Sequence, residues 1–259
     1  MNPDLVLIER DDPAITMLML NRPEKRNALS LALIESLHRS ILSASADPAC
    51  RVLILRGNGP AFCAGLDLTE AAQPDGHERS AKALADLYEA LGTSPLVTIA
   101  AAHGAAMGGG AGLLAACDFA VGTTNLHLGY PEVHRGLVAA LVTCLLRRRL
   151  GDQAIRRLIL LGQMLDGAEA LMRGLIDQLA TPDQLQPTAM DLARHSLKGA
   201  PGAIARTKQL LEHLAARSLR DDLNIALEFH LAARQSAEAA EGIAAFKEKR
   251  DPQWPPREV

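Results

Sequence analysis

Val97-Thr98-Ile99-Ala100-Ala101 is an apolar run of strand length, followed by His103-Gly104-Ala105-Ala106-Met107 and then Gly108-Gly109-Gly110-Ala111-Gly112-Leu113-Leu114-Ala115-Ala116-Cys117. The glycines open a small-residue helix that ends at about Cys117, and Phe119–Val121 returns to strand character. A strand, a helix and a strand in that order predict an α/β layered fold with right-handed crossovers between roughly parallel strands. Upstream, Val52-Leu53-Ile54-Leu55 reads as a buried strand closed by Gly57-Asn58-Gly59-Pro60. A loop follows from Ala61 to Leu68, and then a helical stretch from about His77 to Leu91. Ser30 is positioned to N-cap a helix running to about Ala46, with Leu33, Leu37, Ile41 and Leu42 on its apolar face. Val6–Ile8 and Ile15–Leu20 suggest an opening hairpin about an Asp-Asp-Pro turn.

Downstream of about residue 140 the pattern is helical almost throughout, near 140–150, 152–162, 167–173, 183–198, 201–217, 219–235 and 238–250. The breaks fall at Gly151, Gly167, Pro182 and Gly199-Ala200-Pro201. The last helices carry Ile204, Leu210, Leu211, Leu214, Leu223, Ile225, Leu227 and Phe229, apolar faces that need either their own core or a neighbouring subunit. Two regions are therefore expected: a core over residues 1–195 and a helical assembly region over 196–259.

A net charge of -3 over 259 residues lacks the broad positive field that nucleic acid requires, and Arg147-Arg148-Arg149 reads as a solvated helix face or a subunit contact. No apolar stretch is long enough to span a bilayer, and the N-terminus has no basic then apolar leader pattern, so a cytoplasmic protein is expected. Cys50, Cys63, Cys117 and Cys144 are widely spaced and are expected to be reduced thiols. His127 and His134, on either side of Glu132, do not have metal-ligand spacing.

Three consecutive glycines at a helix start lower its stability and call for a local reason. One reason is close packing against a neighbouring element. The other is an anion site, because bare backbone N–H groups at a helix N-terminus can be approached where no β-carbon intervenes. Gly110-Ala111-Gly112-Leu113-Leu114-Ala115 also fits a dinucleotide fingerprint with Glu132 downstream, but that motif should follow its strand at once, and here His103 to Gly109 intervene. No G-x-S-x-G elbow supports a serine hydrolase. The loop Phe62-Cys63-Ala64-Gly65-Leu66-Asp67-Leu68 offers a second backbone N–H, at Ala64, to converge with that of Gly109 on one oxygen.

In order and spacing, Asn21-Arg22-Pro23-Glu24-Lys25-Arg26-Asn27-Ala28-Leu29, Gly57 to Leu68, His103 to Gly110, Cys117-Asp118, Gly129-Tyr130-Pro131-Glu132 and the terminal Ala245-Phe246-Lys247-Glu248-Lys249-Arg250 resemble the successive signatures of the enoyl-CoA hydratase/isomerase (crotonase) family. The resemblance implies a crotonase-like spiral of stacked ββα/βαβ units with a helical C-terminal trimerisation region, assembled as a homotrimer or a dimer of trimers. It implies an acyl-CoA thioester substrate and no separate cofactor, coenzyme A being part of the substrate. Ala64 and Gly109 would form the oxyanion hole, and Glu132 would transfer the proton. By the same resemblance, the loop Ala61 to Leu68, with Phe62, Gly65, Leu66 and Asp67, would receive the adenine end. Lys25 or Arg26 would meet the pantetheine or phosphates, with Ala28, Gly108, Gly112 and Pro131 also lining the site. Phe246 and Lys249 would close over a coenzyme A, including that of a neighbouring subunit.

The chain departs from this pattern at Gly112, where familiar hydratases carry a second glutamate, and at Ala139-Ala140, where many relatives have Pro-Gly. One carboxylate suffices for a 1,3-proton shift. Water addition asks for another group, and Glu70, Glu89, Tyr130 and His134 are the candidates. The expected activity is enoyl-CoA hydration. The alternatives are a Δ-isomerase using Glu132 alone, and a thioester-binding or scaffold protein that has lost turnover.

Overall fold

In the computed structural model, which describes residues 4–70 and 76–254, the strands are β1 (Val6–Asp12), β2 (Ile15–Leu20), β3 (Val52–Gly57), β4 (Val97–Ala102), β5 (Ala105–Met107), β6 (Phe119–Thr123), β7 (His127–Gly129), β8 (Met164–Asp166) and β9 (Gln178–Ala180). The helices are α1 (Leu31–Ala46), α2 (Gly76–Gly92), α3 (Gly109–Ala116), α4 (Ala140–Leu146), α5 (Asp152–Leu160), α6 (Gly167–Met172), α7 (Leu185–Ser196), α8 (Pro201–Leu214), α9 (Leu219–Arg234) and α10 (Ala237–Glu248). β1 and β2 form the antiparallel hairpin, and β2, β3, β4, β6 and β9 continue it as a parallel sheet.

β2 and β4 are apolar throughout because both faces of the sheet are covered. Successive side chains point to opposite faces. Leu18, Leu20, Leu53, Leu55, Ala100 and Ala102 join the core beneath α1, α2 and α3, while Ile15, Met17, Ile54, Val97, Ile99 and Ala101 pack with Leu185, Ala189 and Ala193 of α7.

A second, three-stranded sheet in the order β5-β7-β8 positions the site. β5 and β7 are parallel with Met107 opposite Gly129, so the chain emerges side by side at Gly108 and Tyr130. Each strand of this sheet has three residues, too few for a period-two pattern to be legible, and β8, like the three-residue β9 of the main sheet, falls between the helical stretches expected there. Ser30 does cap α1 by accepting from the Leu33 N–H. Leu42, however, is exposed, and Ile34 takes the buried place expected of it.

The last three helices do not dock alike. α8 buries none of its residues but is tied to the sheet by Lys208, whose Nζ meets Asp118 at 2.5 Å and the Leu96 carbonyl at 2.7 Å. α9 buries Leu219, Leu223 and Ala226 against α2 and α4. α10 packs on the 3-10 helix Pro131–Arg135, where Gly242 lies so close to the Arg135 backbone that a β-carbon would collide with it. Of the triple arginine, Arg147 is exposed as expected of a solvated face, whereas Arg148 pairs with Glu212 at 2.5 Å and Arg149 donates to the Ala115 carbonyl at 3.0 Å. No helix among the described residues is long and apolar enough to cross a membrane.

Candidate active site

The start of α3 is the centre of the site. All eight residues of this helix are buried, and Gly112 N–H closes the first helical hydrogen bond onto Gly108 at 2.9 Å. The Gly109 N–H, which precedes that bond, has no acceptor among the described residues. Gly108 adopts φ 48 and ψ -116, a conformation that disfavours any L side chain, and its own N–H is anchored to the Gly129 carbonyl at 2.9 Å.

The loop after β3 is laid against this helix start by two side chains. Asn27, itself in a left-handed conformation and fully buried, donates to the carbonyls of Asn58 at 2.9 Å and Ala61 at 2.8 Å. Arg22 donates to Asp67 at 2.8 Å and to the Ala28 carbonyl at 3.0 Å. Cys63 bridges Ala106 of β5, and Gly65 lies so near Met107 that a β-carbon would stand 2.8 Å from the Met107 carbonyl and 3.7 Å from the Gly109 nitrogen.

The expected role of Ala64 is corrected here. Its N–H donates to the Arg26 carbonyl at 2.9 Å and is therefore not free to hold a substrate oxygen. Gly65, with φ 92, turns the chain, so the residues flanking it face different neighbours. Beyond it, Gly65 C=O and Asp67 N–H both bond to Leu29, whereas the N–H of Leu66 between them donates to no group among the described residues. The amides of Leu66, next to Gly65, and of Gly109, at the start of α3, are thus among those that meet no acceptor in the described residues. The available signal for Leu66 was Gly65, a glycine in a loop with no helix to cap.

Glu132 stands on the 3-10 helix that follows β7. A β-carbon on Gly108 would lie 2.8 Å from Oε1, so the carboxylate rests directly over the glycine that precedes the free amide. The residue is half-buried, yet Oε2 is fully enclosed and finds no partner. Burial pushes its carboxyl up to about 7, against opposing pulls from its own backbone N–H and from the Arg135 guanidinium.

Position 112 is closed to a second carboxylate. A β-carbon there would overlap the Tyr88 hydroxyl and stand 2.8 Å from Val142 Cγ1. Tyr88 comes from α2, is fully buried, and donates its O–H to the Gly109 carbonyl at 2.8 Å. Of the four alternatives for a second group, Glu70 accepts from the Leu31 N–H at the start of α1, Glu89 is paired to Arg220, and His134 is an exposed residue whose ring lies over Gly162. Tyr130 is fully buried, and its hydroxyl has no hydrogen-bond partner.

The remaining expected contacts are dispersed. Lys25 and Arg26 are exposed at the rim beside Ala28, Phe62 is in the core, and Leu68 and Pro131 are partly buried. Phe246 on α10 stacks 4.4 Å from the guanidinium of Arg135, and Lys249 is the exposed, left-handed C-cap of that helix. Among the described residues no group of three or more His, Cys, Asp or Glu could hold a metal ion.

A spiral α/β core that presents free amides beside one buried carboxylate defines a class, and sequence comparison names it. The chain belongs to the enoyl-CoA hydratase/isomerase family, whose model matches residues 10–257. It is 36% identical over 254 residues to a Thermus thermophilus protein named as a candidate enoyl-CoA hydratase, covering 96% of this chain and 100% of that one. It is 34% identical to a mevalonyl-coenzyme A hydratase of Aspergillus fumigatus, covering 98% and 96%. Its fold superposes on a crystal structure of an enoyl-CoA hydratase from Mycobacterium avium with a TM-score of 0.85 at 33% identity, covering 98% and 100%.

Proposed function

We propose that the protein binds an acyl-CoA thioester, holds the carbonyl oxygen between the N–H groups of Leu66 and Gly109, and uses Glu132 to move a proton at the acyl carbons. Hydration of a 2-enoyl-CoA is the reaction. The observation that carries this reading is the Glu132 carboxylate, one oxygen against Gly108 and the other enclosed without a partner, beside the unpaired amide of Gly109. Oriented donors stabilise the enolate oxygen as charge builds on it, and each is worth roughly 3–4 kcal/mol of barrier. A carboxyl raised to about 7 can accept and return a proton near neutrality. The Thermus and Aspergillus relatives, both named for hydration, support this direction.

A specific observation favours a second reading. With Tyr88 and Val142 crowding position 112 and Asp67 paired to Arg22, Glu132 is, among the described residues, the unpaired carboxylate at the start of α3, which suits an isomerase that shuttles one proton between carbons. Incubation with crotonyl-CoA and with a 3-enoyl-CoA, monitored by product, separates the two. Conversion of either must fall by at least about a thousandfold in Glu132→Gln, and turnover that survives this change refutes the reading.

Subunit assembly as a trimer is part of the proposal. Its support is the row of exposed apolar residues Leu210, Leu211 and Leu214 on α8 and Ile225 and Phe229 on α9. The four cysteines are buried and free, which suits a reducing cytoplasm.

A further inference from the structure

Three polar side-chain atoms of the segment Tyr130–Arg135 are enclosed without hydrogen bonds: Glu132 Oε2, the Tyr130 hydroxyl and Arg135 Nε, the last on a guanidinium stacked against Phe246. Buried polar groups are almost always paired, and leaving one unmade costs about 1–3 kcal/mol. With the Arg135 guanidinium covered by Phe246, the orphaned Glu132 and Tyr130 oxygens on this short segment point to a ligand that completes them. Tyr130 precedes the Glu132 helix directly and follows Gly129, which is bonded to Gly108, so both residues hang from the backbone that borders the free Gly109 amide. Burial holds the Tyr130 hydroxyl in its neutral, hydrogen-bonding form, and the Glu132 charge adds to this against the opposing pull of the Arg149 guanidinium.

Among the described residues, position 112 is crowded by Tyr88, and Glu70 and Glu89 are held in structural pairings. We propose that the Tyr130 hydroxyl is the second polar group of the site: it shares with Glu132 the water that adds to the enoyl β-carbon and then the hydroxyl of the 3-hydroxyacyl product. In this step Glu132 takes one proton from water as the water oxygen bonds to Cβ. The Cα=Cβ pair moves into the enolate held by the Leu66 and Gly109 amides, and Glu132 returns the proton to Cα. Tyr130 stays neutral, accepting a hydrogen bond from the water and donating one to the new hydroxyl. This inference rests on the hydration reading above.

The test is Tyr130→Phe in the full-length protein. Because the free enzyme loses no hydrogen bond, its thermal midpoint is expected to stay level or rise, while kcat for crotonyl-CoA hydration falls roughly tenfold or more. Exchange of the α-protons of butyryl-CoA into heavy water needs the enolate and Glu132 but adds no water, so it should fall several-fold less than hydration does. A binding measurement guards against misfolding: wild type should prefer 3-hydroxybutyryl-CoA to butyryl-CoA by roughly fivefold or more, the worth of one hydrogen bond. Hydration at the wild-type rate in Tyr130→Phe, equal loss of hydration and exchange, or no preference for the hydroxylated ligand in wild type would each overturn the role of Tyr130 and leave Glu132 untouched. A wild-type enzyme that hydrates no enoyl-CoA would sink the hydration reading and this role together.

Discussion

Replacing Glu132 with Gln should make the protein more stable as it makes it inactive, and the gain should depend on pH in a fixed direction. In the native protein the carboxyl ionises at about 7, whereas in the unfolded chain it ionises near its ordinary 4.5. Below 4.5 both states hold the proton and the side chain has no pH-linked effect. As pH rises from 4.5 to about 7 the unfolded chain releases the proton and the native state keeps it, so wild-type stability falls through that window and levels off above it. At about 1.4 kcal/mol for each tenfold in acidity, the full loss is on the order of 3 kcal/mol. A glutamine carries no charge and escapes it. At about 2–4 °C per kcal/mol for a domain of this size, the midpoint of Glu132→Gln should exceed that of wild type by roughly 5–10 °C at pH 8, with little difference at pH 4.5. Thermal unfolding of both proteins across this range measures the effect. A difference that does not change with pH, or that shrinks as pH rises, would refute the claim that burial raises this carboxyl.

Two further substitutions probe the glycines at the helix start. Gly108→Ala places a β-carbon 2.8 Å from Glu132 Oε1 at φ 48; it should cost about 1–3 kcal/mol in denaturant unfolding and, by displacing the carboxylate, roughly a hundredfold in kcat/KM. Gly112→Glu restores the second carboxylate of familiar hydratases but collides with the Tyr88 hydroxyl. It should destabilise by about 1–3 kcal/mol or more, and Tyr88→Ala in the same chain should recover part of that loss, so additive effects in the double-mutant cycle would refute the steric reading.

The layered fold was legible because β2, β3 and β4 are apolar on both faces and the capping serine of α1 stands where its helix begins. β5, β7 and β8 were not, since three-residue strands held by register to one another carry no local period. At the site, Gly108, Gly109 and Glu132 were readable as a glycine cluster and a carboxylate in register. The choice between the amides of Ala64 and Leu66 was not, because it depends on where a distant upstream carbonyl, that of Arg26, arrives in space. The closure of position 112 was equally hidden: Tyr88 sits on α2, and only packing shows its hydroxyl standing over Gly112.

The docking of α10 onto the Glu132 helix ties the carboxylate to a helix far downstream in the sequence. Gly136 fits against the backbone at Glu238, Gly242 against Arg135, and Phe246 covers the Arg135 guanidinium. During synthesis the segment bearing the carboxylate leaves the ribosome long before the helix that braces it. A chain cut before α10 can therefore keep every strand of the main sheet in place and still leave the Glu132 helix without the surface that braces it.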